Sequence, residues 1–253
     1  MSKTISFHLQ KGGVGKTTIS GTISCQSAMQ GAKTILVDLD PQGNASSWFL
    51  IDKTKYEVSD VLQGRCFIHE AVVPVRSMKN LYILPSFGIG GDLKKYGEQV
   101  IKSEPYVIFD LVKQLSKEYD HIVLDLSPGL GNLETSALIA SDEIITPMTP
   151  EIFSLDGLEI FIHELEGIKK RFNSSVVHNK VIINSFDGRI EQHKDILRVA
   201  LKGEYSIYKI AVDPVFRKSQ ESHTAPQLFK MRGKGLKKQT LRSITEISQN
   251  IWS

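Results

Sequence analysis

The segment QKGGVGKTT occupies residues 10–18, between the apolar run Thr4–Leu9 and a stretch of helical periodicity. Its three glycines allow the backbone to surround an anion with N–H groups, because no side chain obstructs the approach. A helix that begins near Lys16 directs the positive end of its dipole at the same point. A strand, a glycine-rich turn and a helix in this order predict a phosphate-binding loop, and a turn without function is the less favoured reading.

The loop departs from the common pattern G-x-x-x-x-G-K-[ST] at its beginning. Gln10 stands where the first glycine is expected, and a second lysine, Lys11, opens the glycine run. Lys16 keeps the position that reaches the β- and γ-phosphates, and Thr17 keeps the hydroxyl that binds Mg²⁺. The motif therefore predicts a nucleotide site with Mg²⁺, and it leaves the contact made by Lys11 unexplained.

Short β-rich runs alternate with helical patterns along the chain. Most of the runs are continuously apolar, as expected for strands that are buried on both faces of a parallel sheet. The alternation predicts an α/β fold, with a mostly parallel twisted sheet and helices on both faces, in a single domain of residues 1–253. The less regular region Tyr56–Pro105 is expected to hold short helices and surface loops. The predicted strands are Thr4–Leu9, Thr34–Asp38, Leu81–Leu84, His121–Leu126, Glu143–Thr146, Val181–Ser185 and Ile207–Val212, and the predicted helices are Thr17–Gln30, Tyr106–Glu118, Leu133–Ala140, Leu155–Arg171, Glu191–Leu201 and Leu236–Ile251.

Three aspartates stand at or just after the ends of predicted strands, at the edge where ligands bind in such sheets. Asp38 and Asp40, in DLDPQGN at 38–44, are two residues apart on an extended segment, so their side chains point the same way. A carboxylate there can hold an attacking water near a γ-phosphate, although an aspartate that only caps a loop also fits the pattern. Asp125 ends the apolar run of HIVLDLSPGLGN at 121–132, as in a Walker B strand whose acid supports the Mg²⁺ shell. The glycine-rich residues after it are expected to form a switch loop.

The charge of the chain is unevenly distributed. The whole sequence has a net charge of +3, but residues 201–253 contain ten lysines and arginines against four acidic residues. This asymmetry indicates an anionic partner near the C-terminal part, while a solvated helix face explains it equally well. Cys25 and Cys66 fit neither a disulfide framework nor a metal site. The sequence shows no signal peptide and no apolar run of about 20 residues, so we expect a cytoplasmic protein in a reducing compartment.

Four segments resemble the ParA/Soj partition ATPases, a branch of the deviant Walker A class of P-loop NTPases that also includes MinD. They are KGGVGKTT at 11–18, DLDPQGNAS at 38–46, VLDLSPGLGNLE at 123–134 and P-x-x-x-E-x-F-S-L-D-G-L at 147–158. Weaker similarity continues in NSFDGR at 184–189 and DPVFRKSQES at 213–222, so the resemblance covers nearly the whole chain. One departure is Ser-Pro-Gly after the Walker B acid, where the family commonly has Thr-Pro-Pro.

The resemblance implies a P-loop NTPase fold and roles for individual residues. Lys11 matches a lysine that reaches across an ATP-bound homodimer to the partner's phosphates. With Lys16 and Asp40, the acid that positions the hydrolytic water, it forms the predicted catalytic set. The predicted ATP contacts are Lys11, Gly12, Gly13, Val14, Gly15, Lys16, Thr17 and Thr18, with Asn184, Asp213 and Pro214 toward the adenine. The predicted Mg²⁺ contacts are Thr17, Asp38 and Asp125.

The resemblance also implies duplex DNA as a partner that is bound without sequence preference. Arg217 falls where the family has an arginine that contacts DNA, and phosphate contacts by basic side chains need no particular base sequence. A centromere-binding ParB-like protein is expected to stimulate hydrolysis, which dissolves the dimer and releases it from the nucleoid. No helix-turn-helix domain precedes the loop, so site-specific binding to a promoter is not expected. The predicted DNA contacts are Lys202, Arg217, Lys218, Lys230, Arg232, Lys234, Lys237, Lys238 and Arg242.

A MinD-like ATPase that cycles on a membrane is the main alternative. Basic amphipathic helices bind anionic bilayers, and the stretch 236–253 combines basic residues with apolar ones at helical spacing. A last helix packed on the sheet explains the same pattern and is favoured, so a membrane is not expected as a partner. Cluster-carrying relatives are disfavoured because they need cysteines near the Walker B switch, and a metabolic kinase because no acceptor pocket is legible. The apolar residues in question are Leu236, Leu241, Ile244, Ile247 and Ile251.

Overall fold

The sheet is built around β1 (Lys3–Phe7), which lies between two parallel neighbours, β5 (His121–Leu126) and β6 (Glu143–Met148). The computed structural model describes residues 2–99, 104–172 and 174–253. The other strands are β2 (Thr34–Leu39), β3 (Val73–Pro74), β4 (Leu81–Leu84), β7 (Val177–Phe186) and β8 (Ser206–Ala211). Within the described residues the strand order is β3-β4-β2-β5-β1-β6-β7-β8, and every pairing is parallel except that of β3 with β4.

Helices cover both faces of this sheet. On one face, Ile5 and Phe7 of β1 pack with two of the helices, and on the other Leu124 of β5 packs with three more. Successive residues of a strand point to opposite faces, so burial on both sides explains the continuously apolar runs. The helices are α1 (Lys16–Met29), α2 (Asn44–Phe49), α3 (Val58–Leu62), α4 (Ile68–Ala71), α5 (Leu93–Gln99), α6 (Val107–Leu115), α7 (Asn132–Ile139), α8 (Ile152–Phe172), α9 (Glu191–Ala200), α10 (Pro214–Glu221) and α11 (Lys238–Trp252). Helices α1 and α11 lie on the first face and α6, α7 and α8 on the second, so the predicted α/β class is confirmed.

The predicted elements are present, and the differences lie in their bounds. Strand β7 begins at Val177 instead of residue 181, because its first half is polar and partly exposed and so gives no apolar signal. Helix α8 begins at Ile152, three residues before the predicted start. Helices α2 and α10 were not predicted, since both are short. The irregular region contains α3, α4 and α5, and its residues 100–103 lie outside the described residues.

The apolar stripe of α11 belongs to the core. Ile244, Ile247 and Ile251 are buried in the cluster that α11 shares with α1 and β8. Leu241, in contrast, is 41% exposed. Most of the apolar residues that suggested a membrane-binding face are therefore buried against the sheet and α1. Among the described residues, no helix has both the length and the apolar character needed to cross a bilayer.

Candidate functional site

The segment between β1 and α1 has the geometry of a phosphate-binding loop. Gly13 and Gly15 have φ values of 75° and 94°, in the left-handed region that favours glycine. Gly15 is the N-cap of α1, and no side chain of the described residues caps this end, so the first amides of the helix remain for a ligand. A Cβ on Gly12 or Gly13 would meet no atom within 4 Å. The loop therefore offers free N–H groups to an open space, which fits a phosphate.

Lys16 points back into the loop from the first turn of α1. Its Nζ donates hydrogen bonds to the carbonyl oxygens of Leu9 at 3.1 Å and Lys11 at 2.9 Å. The residue is only 7% exposed. Burial lowers the pKa of Lys16, and nearby carboxylates, first among them Asp125, act in the opposite direction. A cation fixed inside the loop in this way is suited to neutralise a phosphate bound there.

Lys11, in contrast, is engaged outside the loop. Its Nζ lies 2.7 Å from Oε2 of Glu151 and 2.9 Å from Oγ of Ser154, at the start of α8. Ser154 is buried, whereas Glu151 is exposed. The hydrogen bond and charge of Lys11 lower the pKa of Glu151. To reach another molecule, Lys11 has to leave this ion pair.

Asp125 and Asp38 lie side by side at the ends of β5 and β2, where the strand register pairs them. Burial raises the pKa of both carboxyls, and the nearby hydroxyls of Ser20 and Thr17 partly offset the rise at Asp125. Ser20 Oγ donates to Oδ1 of Asp125 at 2.8 Å, while Oδ2 is buried without a partner among the described residues. A free carboxylate oxygen near the Thr17 hydroxyl fits Mg²⁺. Within the described part of the chain no cluster of three or more metal-binding side chains is found, so phosphate and water oxygens have to complete the shell.

Both carboxylate oxygens of Asp38 accept hydrogen bonds from residues that follow it closely in the sequence. Its Oδ1 accepts the backbone N–H of Asp40 at 3.1 Å, and its Oδ2 accepts the backbone N–H and the hydroxyl of Ser46 at 2.8 and 2.6 Å. Ser46 lies in α2, so Asp38 anchors that helix and the loop before it to β2. Direct contact of Asp38 with Mg²⁺ would compete with these three donors. Asp40 is nearly buried and accepts the backbone N–H of Gln42 through Oδ1 at 2.8 Å.

The residues after β5 form a loop that is tied to the start of α7. Ser127 Oγ donates to Oε1 of Glu134, and the backbone N–H of Gly131 donates to Oε2 at 2.9 Å. A cavity of about 560 Å³ lies between this loop, residues 40–42 and α5. Both segments that the sequence associates with hydrolysis therefore border one open space.

Asn184 supports the phosphate loop directly. Its Nδ2 donates to the carbonyl oxygen of Val14 at 3.0 Å. A Cβ on Gly15 would lie 2.2 Å from the same nitrogen, so the close approach of the two residues requires glycine. The residue predicted to contact adenine thus also holds the loop in shape.

Asp213 and Pro214 occupy the start of α10. Asp213 caps the helix, and its second carboxylate oxygen accepts the backbone N–H of Lys237 at 2.9 Å and the hydroxyl of Thr240 at 3.1 Å. These bonds join the starts of α10 and α11. Pro214 lines an open groove of about 900 Å³ between the loops after β7 and β8 and the start of α11, with Arg242 also in its walls. Of the two residues, Pro214 lines the groove, whereas Asp213 accepts hydrogen bonds from the starts of α10 and α11.

The nine predicted DNA contacts are all exposed but do not lie together. Arg217 and Lys218 are on α10, and both bind Glu221 of the same helix, at 3.0 and 2.7 Å. Lys202 precedes β8 whereas α10 follows it, so Lys202 lies at the opposite end of a strand about 20 Å long. Two further groups are Lys230, Arg232 and Lys234 around the bridge between Met231 and Lys234, and Lys237, Lys238 and Arg242 around the start of α11.

Several side chains of the site were not singled out from the sequence. Glu151 and Ser154, which hold Lys11, stand in the segment 147–158, and that motif was the available signal. Ser46, which binds Asp38, gave no signal of its own. Gln220 donates from Nε2 to Oγ1 of Thr18 at 3.0 Å, across more than 200 residues of sequence, and no local pattern indicates such a contact.

Comparisons with known proteins agree with this geometry. A family model described as an AAA domain matches residues 2–178. The protein BBD21 of Borreliella burgdorferi is 35% identical over 221 residues, 86% of this chain and 88% of that one. The chromosome-partitioning ATPase Soj of Treponema pallidum is 29% identical over 200 residues, 78% of this chain and 77% of that one. The solved structure of a Borrelia burgdorferi B31 protein assigned to plasmid partition, with AMPPNP bound, has a TM-score of 0.80 and 25% identity, and the match covers 100% of this chain and 98% of that one.

Proposed function

Because this chain belongs to the AAA domain family, and within it to the ParA/Soj-type P-loop partition ATPases, we propose that it is a Mg²⁺-dependent ATPase whose ATP-bound form binds DNA. Its work would be the partition of a plasmid or chromosome, or the positioning of other cargo on the nucleoid in the cytoplasm. One observation carries the proposal. The phosphate loop, Lys16, Asp40 and Asp125 meet at the carboxyl ends of β1, β2 and β5, which are neighbours in the sheet.

The residues of the loop would bind and polarise the triphosphate. The backbone N–H groups of residues 12–18 surround the phosphates, and Lys16 neutralises the charge that develops on them. Thr17 and Asp125 hold Mg²⁺, which shields the negative charge of the phosphates when bound. Asp40 orients the attacking water from the adjoining loop. Asp38 acts through its hydrogen bonds to Ser46 by fixing that loop.

The remaining ATP contacts would come from the C-terminal strands. Asn184 supports the phosphate loop through its hydrogen bond to Val14. Pro214 lines the groove between the loops after β7 and β8 and offers an apolar surface to the adenine. Lys11 would leave Glu151 and reach the phosphates of a second copy, so that ATP closes a homodimer. The chain works as one domain over residues 1–253 in this proposal.

The dimer would present the exposed cations of both copies to duplex DNA. Release of counterions from the DNA drives such binding and makes it fall steeply with salt. Arg217 and Lys218 are the first candidates, because they lie on α10, which packs against α2 and bonds the first turn of α1. A centromere-binding ParB-like protein would stimulate hydrolysis and so end the DNA-bound state.

The test is the binding of an arbitrary duplex DNA in the presence of a non-hydrolysable ATP analogue and Mg²⁺. We expect binding that weakens at least ten-fold between about 50 and about 200 mM salt, and much weaker binding with ADP. Hydrolysis without any salt-sensitive DNA binding under these conditions would refute the partition role and leave only the ATPase.

A further inference from the structure

Helix α10 and the residues just after it form hydrogen bonds with two helices of the nucleotide site, α1 and α2. Gln220, near its end, donates from Nε2 to Oγ1 of Thr18 in the first turn of α1, at 3.0 Å. Shortly after the helix, the carbonyl oxygen of Thr224 accepts the indole N–H of Trp48 in α2 at 3.1 Å. We call residues 214–224 the coupling segment. One of its contacts reaches the residue after Thr17, and the other reaches the helix that Asp38 anchors.

The residue that makes the contact with α2, Trp48, is tightly packed. Trp48 is 3% exposed and stacks on Phe49, with ring centroids 4.4 Å apart. Its ring also packs on α1 at Gly21, where a Cβ would lie 2.4 Å from it. Since Ser46 in the same helix donates twice to Asp38, a shift of the loop at Asp38 has to move α2, and with it the hydrogen bond to Thr224.

The hydrogen bond between Gln220 and Thr18, which is the contact with α1, would change in strength when a phosphate is bound. The hydroxyl of Thr18 accepts a hydrogen bond from Gln220, and no acceptor for its own proton is found among residues 2–99, 104–172 and 174–253. That proton is available to a phosphate oxygen in the loop. A hydroxyl that donates to an anion becomes a stronger acceptor, because hydrogen bonds in a chain polarise one another. A bound phosphate would therefore tighten the bond between Gln220 and Thr18.

The opposite side of α10 carries the cations. Val215 and Ser219 are buried, whereas the side chains of Arg217 and Lys218 are 85% and 50% exposed. The helix is thus fixed on one side by packing and on its last turn by Gln220. The position of the two cations depends on how firmly the coupling segment is held.

We propose that the coupling segment transmits the state of the nucleotide site to Arg217 and Lys218, with Gln220 as the positioning residue, so that duplex DNA is bound well only when the loop holds a triphosphate. The proposal rests on the proposed function, because it takes DNA as the ligand of these cations.

The test compares Gln220→Leu with Gln227→Leu in the full chain. Both glutamines donate to α1, but Gln227 bonds the carbonyl oxygen of Thr22, one turn away from the phosphate loop. For each variant we would measure the affinity for a non-hydrolysable ATP analogue. The affinity for a short duplex DNA would then be measured with the analogue at saturation and without nucleotide. The bond between Gln220 and Thr18 is present in both states, so only its tightening changes the ratio of the two DNA affinities. We expect Gln220→Leu to reduce this ratio by up to five-fold, roughly the full value of one hydrogen bond, and Gln227→Leu to leave it unchanged.

The outcomes separate the inference from the function on which it rests. If the unaltered protein shows no nucleotide-dependent DNA binding, the proposed function itself fails. If it does and Gln220→Leu keeps the same ratio, or loses DNA affinity equally in both states, the coupling role is refuted. Trp48→Phe keeps an aromatic ring but removes the donor to Thr224, so it tests the second contact should Gln220→Leu not fold. An unchanged ratio in Trp48→Phe would then overturn the proposal.

Discussion

Lys11 Nζ and Glu151 Oε2 lie 2.7 Å apart in the same chain, so the lysine that distinguishes this phosphate loop is already ion-paired. In the proposed dimer the same ammonium serves the partner's phosphates, and the intrachain pair competes with that contact. Exposed ion pairs contribute about 0.2–1 kcal/mol, which a bound triphosphate can overcome.

Removing the charge of Glu151 should therefore favour the dimer. Because each of the two subunits gives up one such pair, we expect Glu151→Gln to strengthen ATP-dependent dimerisation about two- to thirty-fold, and Lys11→Ala to abolish it. Sedimentation equilibrium with a non-hydrolysable ATP analogue measures both effects. Glu159→Gln, at an exposed position of α8, is the control. A weaker dimer in Glu151→Gln would show that Glu151 also contacts the partner.

The two ends of the glycine run should differ in their tolerance of a side chain. Gly15→Ala places a Cβ against Asn184 at a φ of 94°, and we expect a loss of about 1–3 kcal/mol in the free energy of unfolding together with loss of ATP binding. Gly12→Ala meets no atom within 4 Å, so its stability should change by less than about 0.5 kcal/mol. Urea unfolding and nucleotide titration give both values. Equal stabilities would contradict the observed loop geometry.

Glu221 holds the two cations of α10 and should limit DNA binding. Because Arg217 and Lys218 both bond its carboxylate, Glu221→Gln should raise the affinity for duplex DNA. It should also make the slope of log K against log salt steeper by up to about 0.9, one additional counterion released. Fluorescence anisotropy at several salt concentrations measures the slope. Glu246→Gln on α11 is the exposed control, and an unchanged slope in Glu221→Gln would place the DNA elsewhere.

The apolar stripe of α11 should matter for stability and not for membranes. Ile247→Ala removes a buried side chain, and we expect a loss of about 2–5 kcal/mol in the free energy of unfolding. Leu241→Ala, at a half-exposed position of the same helix, should cost less than about 1 kcal/mol. The full chain should stay in the supernatant when vesicles of anionic lipid are sedimented. ATP-dependent sedimentation that Leu241→Ala abolishes would instead support the membrane alternative.

A buried histidine should make stability depend on pH. Burial lowers the pKa of His178 from 6.5 to about 4 in the folded chain, where it lies between the rings of Phe161 and Tyr205 and its Nε2 is 2.8 Å from the hydroxyl of Thr146. Between these two pKa values the unfolded chain binds a proton at His178 that the folded chain does not. The contribution of His178 to the free energy of unfolding is therefore fully present above pH 6.5 and is lost as the pH falls toward 4.

The loss from His178 alone should be about 2 kcal/mol between pH 7 and pH 5. In His178→Gln this part of the pH dependence should disappear, while His8, whose pKa burial lowers to about 3, still contributes its own share. His163→Gln, at an exposed position of α8, should keep the full dependence. Urea unfolding at several pH values is the measurement. An identical slope in His178→Gln would refute the assignment.

Much of the fold was readable from the sequence because its signals are local. Strands buried on both faces need continuously apolar runs, and the backbone of the loop itself favours glycine at positions 13 and 15, where φ is positive. Short elements escaped prediction. Helix α10 has eight residues, and besides its packing on the core it is held by Asp213, which joins it to α11, and by Gln220, which joins it to α1.

The sequence by itself determined the α/β class, the phosphate loop and the three carboxylates at or just after the ends of strands, since spacing along the chain sets which groups emerge at one edge of a parallel sheet. Only the tertiary structure decided what those groups touch. Asp125 lies beside Asp38, Ser46 donates hydrogen bonds to Asp38, and Lys11 forms an ion pair with Glu151. The physical reason is that hydrogen bonds and ion pairs depend on distances of a few ångströms between residues far apart in sequence, and only the packing of helices on both faces of the sheet sets those distances.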